Sequence, residues 1–135
     1  MDETGVNWIA VLVAGVASFA FGSAYYMSLA KPWMAAVGKT DGDIKASQNA
    51  MTFIVAIVAQ LVMAYTMARV MGWQGDMTIG AGISIAITLW VGFIVAAMAV
   101  NHSFQGAKRS LTIIDSGHWL GVLLIQSIVI ALFGV

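Results

Sequence analysis

Four long apolar runs are the feature that most constrains this chain. They extend from about residue 6 to 30, 50 to 71, 78 to 101 and 113 to 135, and Arg69 and Asp115 are the charged residues within them. About 20 apolar residues are enough for a helix to cross the hydrocarbon core of a bilayer. The runs lack the alternation of barrel strands, and backbone groups in lipid must be satisfied internally. The sequence therefore predicts an all-α integral membrane protein, a single domain built as a four-helix transmembrane bundle.

The composition excludes most soluble classes of protein. Hydrophobic residues make up 61% of the 135 residues and charged residues 9%, with a net charge of zero, whereas soluble domains are about 25% charged. So few charges cannot coat a soluble globule, and a neutral chain offers no basic surface for nucleic acid. Because cysteine is absent, disulfide frameworks and thiolate sites are excluded. We expect the protein surface to contact the lipid bilayer and to bind no nucleic acid.

The basic residues indicate how the bundle is oriented. Five of the six fall in the loops between helices 1 and 2 and between helices 3 and 4, namely Lys31, Lys39, Lys45, Lys108 and Arg109. The sixth, Arg69, lies near the opposite end. Since cytoplasmic loops carry an excess of Lys and Arg, we expect both of these loops in the cytoplasm and both termini outside.

Small residues recur at four-residue spacing along three of the predicted helices. The three seams are Ala10, Ala14, Ser18 and Gly22; Thr52, Ala56, Gln60, Ala64, Ala68 and Gly72; and Gly80, Ser84, Thr88, Gly92 and Ala96. Helices in lipid associate through close packing along such faces and through interhelical hydrogen bonds. We therefore expect each seam to form a helix contact.

One polar side chain lies near the centre of each span, namely Ser18, Gln60, Thr88 and Gln126. We interpret these four residues as an interhelical hydrogen-bond layer at the midplane, since amides and hydroxyls can satisfy one another without a ligand. The alternative is that they line a polar site there.

Asp115 and His118 form the strongest functional candidate. At 100° per residue they share with Gln126 a stripe about 80° wide on helix 4, and three-residue spacing lets the pair touch directly. The hairpin between helices 3 and 4 would bring Asn101 and His102 to the same membrane face.

Three interpretations of these four residues stay open. They form a capping and hydrogen-bond cluster that closes the hairpin, which is the favoured interpretation, or a proton relay or substrate-binding group. A metal, haem or pigment site is the weakest of the three, because two histidines and one aspartate at loose spacing are poor evidence for coordination. We therefore predict no metal and no cofactor.

Several short motifs carry a resemblance to a known family. They are Asn7-Trp8, Gly22 with Tyr25-Tyr26-Met27-Ser28, Lys31 and Trp33, Asn101, and Gly117-His118. With these motifs the chain resembles the domain-of-unknown-function 1761 family (DUF1761) of small bacterial membrane proteins, although Ser28-Leu29 stands where family members often have Ser-Pro. The resemblance implies a multi-pass, four-span fold in a bacterial cytoplasmic (inner) membrane and supplies no reaction.

The functional expectations follow from these features. The sequence shows no nucleophile and base pair, phosphate loop or metalloprotease motif, so we do not expect an enzyme. We expect a structural or accessory membrane subunit that forms a homo-oligomer or joins a larger membrane complex. The alternative is a small proton- or ion-coupled transporter or channel that uses Asp115 and His118.

Overall fold

The computed structural model describes residues 5–134 and is helical through most of that range. The helices in chain order are α1 (Trp8–Ser28), α2 (Ala30–Val37), α3 (Asp41–Ser47), α4 (Ala50–Gln74), α5 (Ile79–Leu89), a π-helical segment (Trp90–Val95), α6 (Ala96–Gln105) and α7 (Arg109–Phe133). Four spans are long and apolar enough to cross a membrane: α1, α4, the continuous third span Ile79–Gln105, and α7. The predicted all-α, four-span architecture is confirmed, and the direction in which it crosses the bilayer stays a prediction.

Capping side chains and glycines set the helix ends. The Asn7 side chain accepts hydrogen bonds from two backbone N–H groups at the start of α1, and Thr78 caps α5 in the same way. Gly75 and Gly106 end α4 and α6 with φ of 82° and 69°, a conformation that favours glycine. The helices therefore stop where these residues allow the chain to turn.

The short helix α3 begins with a reciprocal pair of hydrogen bonds. The Asp43 carboxylate accepts from the Thr40 backbone N–H at 3.0 Å, and the Thr40 hydroxyl accepts from the Asp43 backbone N–H at 3.2 Å. Hydrogen bonds from Thr40 to the ionised carboxylate lower the pKa of Asp43. A polar helix with such a capping box lies outside the lipid-spanning part of the chain.

The structure differs from the apolar runs by a few residues at the ends of the spans and by an irregular segment inside the third span. Helix α7 begins at Arg109, four residues before its apolar run, because the helix continues through polar residues at its start. The third span contains the π-helical segment Trp90–Val95, which no residue pattern predicted. Inside this segment the Trp90 indole N–H donates to the main-chain oxygen of Ser116 at 2.7 Å, which ties the third span to α7.

Helix α7 is the centre of the bundle and the third span is peripheral. In the most apolar stretch of α7, 39% of the residues are buried inside the bundle. In the corresponding stretch of the third span, 6% are buried. Helix α7 packs along α1 and also contacts α4 and α5. Most of the third span therefore faces outward.

The interior differs between the two ends of the bundle. We call the end with α2, α3 and the 106–108 turn the basic end, and the end where α1 begins and α7 stops the terminal end. Apolar residues fill the interior toward the terminal end, among them Val6, Ala10, Met67, Met71 and Ile130. Within residues 5–134 the buried polar residues are Ser18, Gln60, Ser116, His118, Gln126 and Ser127. Apart from Ser127, which lies against Gly82 toward the terminal end, they lie between the middle of the bundle and the basic end.

Gly82 allows α5 to approach α7, and its replacement tests this packing. A Cβ at Gly82 would lie 3.1 Å from Met71 Cε and 3.2 Å from the main-chain oxygen of Ser127. We expect Gly82→Leu to lower the free energy of unfolding in detergent by about 1–3 kcal/mol through overpacking. Gly72→Leu is the control, because a Cβ there meets nothing within 4 Å. Equal stability of the two variants would contradict this packing.

Candidate functional site

Helices α1 and α7 approach closely because each places large side chains against glycines of the other. A Cβ at Gly22 of α1 would lie 2.6 Å from His118 Nε2, and a Cβ at Gly117 of α7 would lie 2.8 Å from the Tyr25 hydroxyl. Such small positions let the backbones of membrane helices come together. The contact therefore fixes the position of His118 in the bundle.

Aromatic rings enclose the imidazole of His118. The ring centroids lie at 4.5 Å for Trp119, 4.8 Å for Tyr26, 5.7 Å for Tyr25 and 6.3 Å for Phe21. His118 is 5% exposed, and its Nδ1 has no hydrogen-bond partner in the part of the chain that the structure describes. Buried polar groups are nearly always hydrogen-bonded. A buried imidazole nitrogen that contacts only aromatic rings is therefore unusual.

Asp115 binds a tyrosine and not His118. The Tyr26 hydroxyl donates to Asp115 Oδ1 at 2.7 Å, and the Tyr25 hydroxyl donates to the main-chain oxygen of Ile114 at 2.6 Å. The expected direct contact between Asp115 and His118 is not formed, and Asp115 Oδ1 accepts from the Tyr26 hydroxyl instead. Tyr26 connects the two side chains, since its hydroxyl binds Asp115 and its ring packs on His118.

Asn101 and His102 lie apart from this cluster. His102 Nδ1 is hydrogen-bonded to Thr112 Oγ1 at 2.6 Å across the hairpin between α6 and α7. Asn101 is exposed. The capping interpretation therefore fits His102, and the four candidate residues do not form one site. Within residues 5–134 there is also no group of three His, Cys, Asp or Glu side chains that could hold a metal ion.

Three of the four midplane polar residues come together. Gln126 Nε2 donates to the Ser18 hydroxyl and to the main-chain oxygen of Gln60, both at 3.0 Å. The side-chain oxygens of Gln60 and Gln126 have no partner among the described residues. Thr88 does not join this layer, because it lies exposed on the third span and its hydroxyl donates to the main-chain oxygen of Ser84 at 2.8 Å.

Sequence reasoning missed the two tyrosines as members of the site. Tyr25 and Tyr26 suggest membrane-interface anchors, because Tyr is enriched at the headgroup level. Both tyrosines lie about one helical turn after Gly22 on α1. This spacing was the available signal, since Gly22 faces His118 and Tyr25 faces Gly117. The candidate site therefore comprises Asp115, Tyr26 and His118, with Gly22 giving the imidazole its space.

The hydrogen bond from Tyr26 to Asp115 should be measurable as a coupling energy. We expect Tyr26→Phe and Asp115→Ala each to destabilise the protein in detergent, and the double variant to be more stable than the sum of the two effects predicts. A single interhelical hydrogen bond in a membrane protein contributes about 0.6–1.7 kcal/mol. Tyr65→Phe is the control, because Tyr65 stacks on Trp8 far from Asp115. Strict additivity in the double-mutant cycle would show that the bond contributes nothing.

Comparison with known proteins places this chain in a family. The model of the family described as "Protein of unknown function (DUF1761)" matches residues 9–131. This match runs from the start of α1 to near the end of α7 and so takes in all four spans. No match to a curated protein or to a solved structure was found. The chain therefore belongs to the DUF1761 family.

Proposed function

We propose that the protein is a non-catalytic subunit of a membrane assembly, and that it assembles through the outward face of its third span. One observation carries this proposal: the small-residue seam of that span does not pack inside the bundle. All five of its members are exposed, namely Gly80, Ser84, Thr88, Gly92 and Ala96. The seam of α1, by contrast, is buried throughout, at Ala10, Ala14, Ser18 and Gly22.

The two glycines of this seam have no packing role among residues 5–134. A Cβ at Gly80 or Gly92 would meet nothing within 4 Å. Gly92 lies in the interior of its span, where glycine costs about 1 kcal/mol relative to alanine in host–guest measurements, whereas Gly80 is the second residue of α5. In a bilayer, small residues repay this cost when a second helix packs closely against them. Gly92 also lies in the π-helical segment, and such segments are frequent at functional sites.

A second copy of the chain is the partner that we expect on this face. Closed dimers with two-fold symmetry are the most common oligomers, and they need one self-complementary surface. A seam of small and hydroxylated side chains can pack against itself without unpaired charge. We place this assembly in a bacterial cytoplasmic membrane, with the basic end facing the cytoplasm, because five of the six basic residues lie at that end and follow the positive-inside rule.

Transport of a proton or ion through a single chain has less support. A transport path would have to continue from Gln126 to the terminal end. Met67, Met71 and Ile130 fill that part of the interior and are at most 1% exposed. Charged groups cross such an apolar region only at high cost.

Cysteine crosslinking tests the proposed contact, because the chain contains no cysteine. We expect Ser84→Cys and Thr88→Cys to form disulfide-linked dimers in membranes on mild oxidation. Val55→Cys and Val58→Cys are matched controls, since both residues are exposed on α4 and should crosslink several-fold less. Equal crosslinking at all four positions would contradict the proposal.

A bulky replacement provides a second, independent test. We expect Gly92→Leu to weaken dimer formation, because a leucine holds the partner helix away from the seam. Val91→Leu is the control in the same segment, since Val91 already presents an exposed branched side chain. The dimer fraction is measured by single-molecule photobleaching in liposomes over a range of protein-to-lipid ratios. A dimer fraction that Gly92→Leu leaves unchanged would place the contact elsewhere.

A further inference from the structure

We propose that His118 is a proton-binding site inside the membrane, and that its proton comes from the basic end through Asp115 and Tyr26. This inference is independent of the proposed assembly. It depends on the burial of His118, on the contacts that link it to Asp115, and on the apolar filling of the opposite half of the bundle.

His118 lies deep in the bundle and lacks a hydrogen bond at Nδ1 among the described residues. His118 lies nine residues after Arg109, so at about 1.5 Å per residue it is roughly 13 Å from the start of the helix. It is 5% exposed, and its Nδ1 lacks a partner among residues 5–134. A buried polar group without a hydrogen bond is destabilising, whereas an apolar side chain at this position would avoid the cost. The fold therefore holds a titratable ring where packing alone gives no reason for one.

Aromatic and titratable side chains surround His118. The rings of Trp119 and Tyr26 lie 4.5 and 4.8 Å from the imidazole centroid, the first in a T-shaped contact and the second tilted. The titratable groups around it are Tyr25 and Tyr26 on α1 and Asp115 on α7. From α4 the neighbour is the uncharged Gln60, whose amide nitrogen approaches Gly22 beside the imidazole. Asp115 is the acidic side chain of this group, and Tyr26 connects it to His118.

Tyr26 and Asp115 form the route to the basic end. Asp115 is about one turn closer to that end than His118 and is partly exposed. Its Oδ1 accepts the Tyr26 hydroxyl at 2.7 Å, and a tyrosine hydroxyl can both donate and accept a hydrogen bond. A proton from a hydronium ion at the basic end passes along this route, and each transfer breaks one O–H bond and forms another. The last transfer requires the Tyr26 hydroxyl to turn from Asp115 to the imidazole, because Nδ1 has no hydrogen-bond partner among residues 5–134. That transfer forms an N–H bond at the ring nitrogen that is unprotonated in neutral imidazole; Tyr26 regains a proton from Asp115, and His118 gains one positive charge.

The opposite half of the bundle closes this route. Beyond His118 the polar layer of Ser18, Gln60 and Gln126 is followed by Ala14, Ala64, Met67 and Ile130, each at most 1% exposed. The site is therefore one-sided: it exchanges its proton with the basic end and does not pass the proton across the membrane.

The two histidines of the chain make this proposal directly testable by NMR. The protein is labelled with 15N-histidine and reconstituted into lipid nanodiscs. In the His102→Gln variant, His118 gives the single histidine signal. We expect this signal to change reversibly from the neutral to the cationic imidazole form as the pH is lowered from about 9 to about 4, a range that brackets the usual pKa of about 6.6 for histidines in proteins. A signal that stays neutral throughout would overturn the proposal.

The route is tested by the rate of proton exchange at His118. We expect Asp115→Asn and Tyr26→Phe each to slow this exchange several-fold. Asp115→Asn keeps the shape of the side chain, so it gives a result even where Tyr26→Phe fails to fold. Tyr65→Phe is the control, since its ring stacks on Trp8. Exchange that neither site variant slows would overturn the assigned route.

Proteoliposomes with an internal pH indicator test whether the site is one-sided. We expect the wild type and His118→Gln to show the same proton flux as protein-free vesicles. A flux in the wild type that His118→Gln abolishes would overturn the one-sided site and indicate proton transport.

Discussion

The close approach of α1 and α7 is the constraint on which the rest of the structure depends. With a side chain at Gly22, His118 could not occupy its present position, because a Cβ there would lie 2.6 Å from Nε2. The same approach brings the Tyr26 hydroxyl within 2.7 Å of Asp115 and the Gln126 amide within 3.0 Å of Ser18. In lipid no hydrophobic force draws helices together, so this fit and these hydrogen bonds hold the bundle.

Polar groups in this bundle are distributed unevenly along the membrane normal. His118 and Gln126 leave atoms without hydrogen bonds among the described residues, while Met67 and Met71 fill the terminal half. A bundle built for packing alone would have apolar groups at both positions, since each unpaired buried group costs stability. A conduit would need polar groups at both ends. The arrangement therefore favours a site that communicates with one face of the membrane.

The sequence predicted the spans well and the helix faces less well. Span length follows from hydropathy, because any apolar run of about 20 residues can cross the bilayer. The contact between Gln126 and Ser18 followed from their central positions. The prediction that Thr88 joins the midplane layer was wrong. A small-residue seam can face the interior or the outside of the bundle, and the packing of the neighbouring helices decides which. The bond between Tyr26 and Asp115 joins residues 89 apart in sequence, so no local pattern could indicate it.

The third span links the outward seam to the interior site. Within its π-helical segment, the Trp90 indole reaches inward to the main-chain oxygen of Ser116 at 2.7 Å, while Gly92 and Phe93 face outward. Ser116 is the residue next to Asp115. A helix packed on Gly92, as the proposed assembly requires, would press on the segment that contains Trp90, and Trp90 is hydrogen-bonded to the turn of α7 that carries Asp115. Because close-packed interiors transmit strain, this segment would connect the proposed assembly face to the proposed proton site.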